Sequence, residues 1–266
     1  MTISTATGST PPGRADVQAI YPLSPLQKGM LFHSLYAPGT AMYVQQLSCL
    51  LTGELDKTAF QAAWQQAIDR HPVLRTAFVW EGLEEPLQVV QRHLPLPITQ
   101  LDWADVPDTE QEDRLGSYLE TDRQRGFDLA RAPLTRVALI RLGDGRHRFV
   151  WTTHHLVLDG WSGALLLREV LAAYESRRAG AAPTLPPSLP TVRPYRDYIL
   201  WLKAHAGADP APFWREVLRG FEAPTPLPGA RPERGPAGVQ KHLQGEEHDA
   251  RELRLPAAET AALQAF

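Results

Sequence analysis

Two hydrophobic periods alternate along the chain. Residues 44–51 carry closely spaced apolar side chains and stop at Thr52-Gly53, which reads as a strand. Residues 56–70 place Phe60, Ala63, Trp64, Ala67 and Ile68 on one face of a helix. His71-Pro72 ends that helix, because the residue before a proline avoids helical angles. Residues 73–80 form the next apolar run, with Arg75 as its lone charge. Short strands are expected at 87–91 and 98–101, and a polar helix at 109–124. Residues 134–142 and 147–153 read as a hairpin around Gly143-Asp144-Gly145, where Asp-Gly is a strong turn signal. Helical spacing resumes after Gly163 and predicts a helix over 163–178, with further helices at 195–206 and 211–220. Near the start, Ser24 is an N-cap with Pro25 in the first helical position. Leu26, Met30, Leu31 and Leu35 then form an apolar stripe expected to face the core, while the pattern leaves Gln27 and His33 without a role.

The mixture of strands and helices predicts an α/β fold, and 266 residues suffice to bury a sizeable core. Residues 1–15 are Ser, Thr, Pro and Gly with little apolar content, as in a disordered leader or linker. Residues 179–190 and 222–238 are Pro-rich connectors, and residues 242–255 are mostly strand-like. A helix begins at 255–259, and the chain stops within it, so the natural polypeptide is expected to continue. The net charge of −3 provides no global basic field for nucleic acid or a membrane surface. Cys49 is the only cysteine, which excludes an intrachain disulfide and fits a reducing, cytoplasmic setting. No apolar run is long enough to span a bilayer, and no signal peptide is seen at the N-terminus.

Chemistry concentrates where the hairpin's second strand meets the next helix. The stretch is Trp151-Thr152-Thr153-His154-His155-Leu156-Val157-Leu158-Asp159-Gly160-Trp161-Ser162. Histidine exchanges protons near neutral pH, which suits general acid–base work. Asp159 can orient an imidazole, pair with a buried arginine or cap the following helix. Gly160 permits close approach of a substrate to the backbone. A histidine pair at a strand end also serves purely structural ends. No third ligand at helical spacing follows for a metal, and Gly160-Trp161-Ser162-Gly163-Ala164 departs from the Gly-x-Ser-x-Gly elbow of serine hydrolases. Arg75 is either exposed on an edge strand or buried and compensated by a carboxylate.

These residues carry a resemblance. His154-His155-Leu156-Val157-Leu158-Asp159-Gly160 resembles the His-His-x-x-x-Asp-Gly motif of nonribosomal peptide synthetase condensation domains, within the chloramphenicol-acetyltransferase-like acyltransferases. Tyr21-Pro22-Leu23-Ser24-Pro25-Leu26-Gln27 with Gly29-Met30-Leu31-Phe32-His33 resembles the family's opening helix, and Arg70-His71-Pro72-Val73-Leu74-Arg75-Thr76-Ala77-Phe78 its second motif. Tyr195-Arg196-Asp197-Tyr198 with Trp201 resembles the segment after the active-site helix. The resemblance implies an α+β two-layer lobe, a mixed sheet packed with helices. Residues 16–255 would be the N-terminal lobe of two, and 256–266 the start of the crossover to a C-terminal lobe. It implies peptide-bond formation between a donor aminoacyl or peptidyl thioester and the amine of an acceptor aminoacyl thioester. Both arrive on phosphopantetheine arms of upstream and downstream carrier domains, beside an adenylation domain, in pathways such as antibiotic or siderophore biosynthesis. His155 is then the expected working residue, as base or as positioning group, with His154, Asp159 and Gly160 beside it. Trp161 and Ser162 would meet substrate, and Arg75, Ser24 and Gln27 would be supports. Asp159 is expected to pair with Arg75. The Gly29–His33 form resembles domains that accept a D-configured donor, and neither epimerisation nor cyclisation domains fit as well. A carrier-docking or gating module and a free-standing acyltransferase are the alternatives.

Overall fold

Two sheets, with helices on both faces of the larger one, make up this α/β chain. The computed structural model describes residues 16–180, 191–205, 207, 209–222 and 253–265. The expected leader at 1–15, most of the 179–190 and 222–238 connectors and nearly all of the 242–255 strand lie outside these residues. In order, the main unit contains β1 (Val17–Pro22), α1 (Pro25–Tyr36), β2 (Val44–Thr52), α2 (Lys57–Arg70), β3 (Thr76–Val79), β4 (Leu87–Gln91) and β5 (Ile98–Asp102). It continues with α3 (Asp108–Arg125), β6 (Thr135–Gly143), β7 (Arg146–His154), α4 (Gly160–Arg178), α5 (Tyr195–Ala204) and α6 (Ala211–Val217). A second unit, Gly220–Phe266, holds α7 (Ala257–Ala265).

The larger sheet has the order β2-β7-β6-β5, with β5 parallel to β6 and the other pairs antiparallel. The smaller is β1-β4-β3, antiparallel throughout. Side chains alternate across the large sheet as a strand's two-residue period requires. Val137, Phe149 and Trp151 enter the main core with Phe60, Trp64 and Ile68 of α2 and Leu166 and Val170 of α4. Ala138, Ile140, Leu142 and Val150 face the other way, onto Leu115 of α3. With helices on both faces, β6 and β7 are buried along most of their length. Trp64 touches Phe60, Phe149 and Trp151 at ring separations of 5.3–6.5 Å. β7 is therefore held on both edges and both faces, so its last residue, His154, has little freedom.

Two expectations need correction. The buried line of α1 runs through Gln27 and Leu31, whereas Leu26 is 73% exposed and Leu35 43% exposed. The predicted apolar stripe is thus rotated on the helix. A polar residue occupies a core position because its amide is fully bonded, as shown below. Residues 72–75 form a turn of 3₁₀ helix and the strand starts only at Thr76, so Arg75 does not lie within a strand. The 44–51 strand, the helix over 56–70 with its buried face and the hairpin all form within one or two residues of their expected bounds. β1, which precedes Ser24, has no counterpart among the expected elements.

Candidate functional site

β7 ends at His154, and the chain leaves the sheet in a short buried loop. The N–H of His154 donates to Leu134 O at 3.0 Å, and that of His155 to Tyr43 O at 2.9 Å. Leu156, Val157 and Leu158 are then buried in turn. Their backbone groups have left the ladder and need other partners. Val157 N donates to His154 O at 3.1 Å. Leu156 N donates to His154 Nδ1 at 3.1 Å. Gln27 Nε2 donates to Leu156 O at 2.9 Å. Gln27 sits in the first turn of α1, where Ser24 and Gln27 form a capping box. Its amide also exchanges bonds with the amide of Gln88 on β4, at 3.0 and 3.2 Å. Tyr195 of α5 donates to Ser24 Oγ at 3.2 Å. Ser24 and Gln27 thus support the motif loop from beneath.

These bonds distinguish the two histidines. A backbone N–H can only donate, so His154 Nδ1 is an acceptor and its proton lies on Nε2. Burial, with the adjacent His155, pushes His154 down to about 4, so the ring is neutral. It is packed between Tyr43, at 6.2 Å, and Phe127, edge-on at 6.4 Å. His155 is half-buried, and its Nδ1 lies 3.1 Å from Leu158 O. A carbonyl only accepts, which assigns the proton of the neutral ring to Nδ1 and leaves a lone pair on Nε2. Such a ring can accept a hydrogen bond or a proton from an amine.

The expected Asp159–Arg75 pair is not formed. Asp159 is the N-cap of α4, its Oδ1 accepting from Ser162 N at 2.7 Å, and hydrogen bonds from Ser162 hold its carboxyl below the usual range. Arg75 is buried and donates instead to the carbonyls of Ile68, Asp69, Gln91 and Arg92 and to Gln18 Oε1. Its charge is thus compensated by backbone dipoles that cluster where α2 ends and β4 leaves the small sheet. The carboxylate that meets the Arg70–Arg75 motif is Glu169, on the third turn of α4. Its oxygens lie 3.1 Å from Arg70 Nε and 2.9 Å from His71 Nε2. α4 is thereby fixed to α2, and with it the direction of its N-terminus.

A cavity of about 390 Å³ opens beside this loop. His155, Asp159 and Ser162 line it together with Met30, Leu74, Leu165, Leu166 and Glu169. Trp161 is not among its lining residues and is 85% exposed. A side chain placed at Gly160 would meet no atom within 4 Å, so the space beside its backbone is open. Among the described residues no three His, Cys, Asp or Glu side chains gather as a metal site. No helix among them is long and apolar enough to cross a membrane.

The profile of the condensation domain matches residues 17–265. The chain belongs to the condensation-domain family. It is 45% identical over 231 residues to one component of the linear gramicidin synthase of Brevibacillus parabrevis, covering 86% of this chain and 3% of that protein. A second component of the same synthase is 44% identical over 250 residues, covering 94% and 5%. The first condensation domain of the calcium-dependent antibiotic synthetase superposes with a TM-score of 0.66 at 21% identity, over 79% of this chain and 50% of that domain. The chain therefore spans about half of that solved condensation domain and a small part of each synthase protein.

The structure gathers His154, His155, Asp159, Gly160 and Ser162 at one loop, with Ser24 and Gln27 beneath it; Arg75 is bonded elsewhere. Sequence reasoning overlooks Tyr43 and Glu169. Tyr43 lies 112 positions before His155, whose N–H its carbonyl accepts, a pairing no local pattern reveals. Glu169 does carry a signal, as a charge on the buried face of α4 between Leu166 and Val170.

Two outcomes follow in urea unfolding. Asp159→Ala removes only a helix cap and should cost about 1 kcal/mol. Glu169→Ala removes the largely buried carboxylate that Arg70 and His71 share and should cost about 3 kcal/mol. The reverse order would restore Asp159 as the main charge anchor. The second concerns pH. An unfolded chain protonates His154 at its ordinary 6.5, the folded chain only near 4. The stabilisation is complete above 6.5 and declines as pH falls from 6.5 to 4, by roughly 3 kcal/mol in all. The stability difference between the wild type and His154→Gln should change by that amount across this window. A difference independent of pH would count against a neutral buried His154.

Proposed function

We infer that this chain supplies the His155 wall of a peptide-bond-forming site in nonribosomal peptide synthesis. The carrying observation is the His155 ring, with Nδ1 bound to Leu158 O and the Nε2 lone pair left over at a cavity wall. In the proposed reaction the acceptor amine nitrogen attacks the carbonyl carbon of the donor thioester. A C–N bond forms and the carbonyl oxygen takes the negative charge. His155 Nε2 accepts the amine's hydrogen, either as a hydrogen bond that holds the nucleophile or as a full proton transfer. Collapse breaks the C–S bond, and the proton passes to the departing thiolate, so no proton is gained or lost overall. A thioester is already activated, and alignment provides most of the acceleration.

The substrates would come on phosphopantetheine arms of a donor and an acceptor carrier domain in a multidomain, cytoplasmic synthetase with an adenylation domain nearby. The open side of Gly160 gives the reacting groups room, and Ser162 would meet them from the cavity wall. Leu26 and Leu165 line the same cavity and are exposed, as is Trp161 in the first turn of α4. An apolar rim beside proton chemistry calls for a cover that excludes water, and a second lobe would be that cover.

The test loads both carriers and follows dipeptidyl carrier by mass spectrometry, using the polypeptide that contains this chain. His155→Ala should lower the rate by about 10²–10⁴-fold. Equal rates in both proteins would defeat the assignment of His155.

A further inference from the structure

Tyr43 stands at φ +64°, in the left-handed region that a bulky side chain rarely enters. That conformation persists only where the surroundings over-determine it. A turn closed by Val44 N donating to Ala41 O at 3.0 Å places Tyr43 at its third position, and three contacts then hold the residue there. The carbonyl of Tyr43 accepts the N–H of His155 at 2.9 Å. Its hydroxyl lies 2.9 Å from Nδ1 of His33, in the last turn of α1, and the two rings stack at 6.3 Å with an 18° interplanar angle. Its other neighbour is the ring of His154, at 6.2 Å.

The position explains the conformation. The β2–β7 ladder ends with Val44 opposite His154. A left-handed residue just before Val44 turns one more carbonyl toward β7 and extends the ladder by a single bond. That bond falls on His155, the first residue to leave the strand. Glycine or asparagine would adopt this angle more readily. What tyrosine adds is a hydroxyl on His33 and a ring face on His154. Neither is needed for the backbone bond alone, and both fix its direction.

We propose that Tyr43, locked by His33, is a positioning residue for His155. This rests on the reading that His155 Nε2 handles the acceptor amine. Tyr43 anchors the backbone of His155 while Leu158 O anchors its Nδ1, and together they aim Nε2. His33, to which the opening motif gives no role, is the outer end of this clamp.

The first test needs no turnover. In the chain labelled with ¹⁵N-histidine, the wild-type His155 signals should show the Nδ1-protonated ring. Tyr43→Phe and His33→Ala should each move a measurable fraction to the Nε2-protonated form, and His33→Asn, which keeps a hydrogen-bonding amide near the Nδ1 position, should restore the wild-type signals. Unchanged His155 signals in both folded variants overturn the proposal. The second test measures dipeptide formation by the whole polypeptide. Each disabling variant should lower kcat about tenfold with KM for both carriers unchanged, and the double variant should be no slower than either single one. A raised KM at constant kcat, or multiplicative losses, overturns a shared positioning role. If the wild type makes no dipeptide, the functional reading fails, while the ¹⁵N signals still decide whether Tyr43 and His33 orient His155.

Discussion

The site depends on the carbonyl of Leu156. It is buried, it has left the sheet, and the Gln27 side chain is what reaches it. Gln27 can serve there because its own amide is fully used. Its oxygen accepts from Ser24 N and Gln88 Nε2, and its nitrogen donates to Leu156 O and Gln88 Oε1. A buried amide with a missing partner would cost more than the bond to Leu156 returns. The capping box that starts α1 and the anchor that holds the motif loop are therefore one network. Anything that turns α1 about its axis moves the floor under His155.

This accounts for what is legible in the sequence and what is not. Helix α2 announces itself because its apolar side chains follow the helical period, and the β6–β7 hairpin because β-branched and aromatic runs flank an Asp-Gly turn. Ser24-Pro25 marks the start of α1 correctly, yet the apolar stripe misplaces its facing, since a rule that counts apolar residues cannot put Gln27 inside. Arg75 misleads for a related reason. A buried guanidinium does need compensation, but four backbone carbonyls make the direct contacts that a carboxylate was expected to make, with Asp69 acting on it without a hydrogen bond. Carbonyl partners leave no trace in side-chain identity, so only the folded backbone reveals them. Asp159 then takes the local role open to any aspartate before a helix, and Glu169 takes the long-range one.

Glu169 and Asp159 divide the control of α4 in a physically sensible way. The cap acts within one turn and sets where the helix begins, which fixes the backbone of Gly160 beside the cavity. The Arg70–His71–Glu169 cluster lies farther along and sets how the helix lies against α2. Desolvated charges in close contact are sensitive to geometry, so they define orientation even where their net contribution to stability is modest. An exposed carboxylate at the mouth would be a poorer anchor, because water screens it.

By sequence the histidine pair is either structural or chemical, and the hydrogen bonds place the two rings in different states. A buried loop of three apolar residues needs polar partners, and the neighbouring histidines provide two. His154 gives its Nδ1 to Leu156 N and is sealed by Tyr43 and Phe127, with burial keeping it uncharged. His155 gives its Nδ1 to Leu158 O and remains half-buried at the cavity. Those bonds have opposite sense. One makes Nδ1 an acceptor and puts the proton on a buried Nε2; the other makes Nδ1 a donor and leaves Nε2 with its lone pair. Two adjacent identical side chains are thus driven into opposite tautomers by the loop they help to close, and only the second keeps an Nε2 lone pair on a residue that lines the cavity.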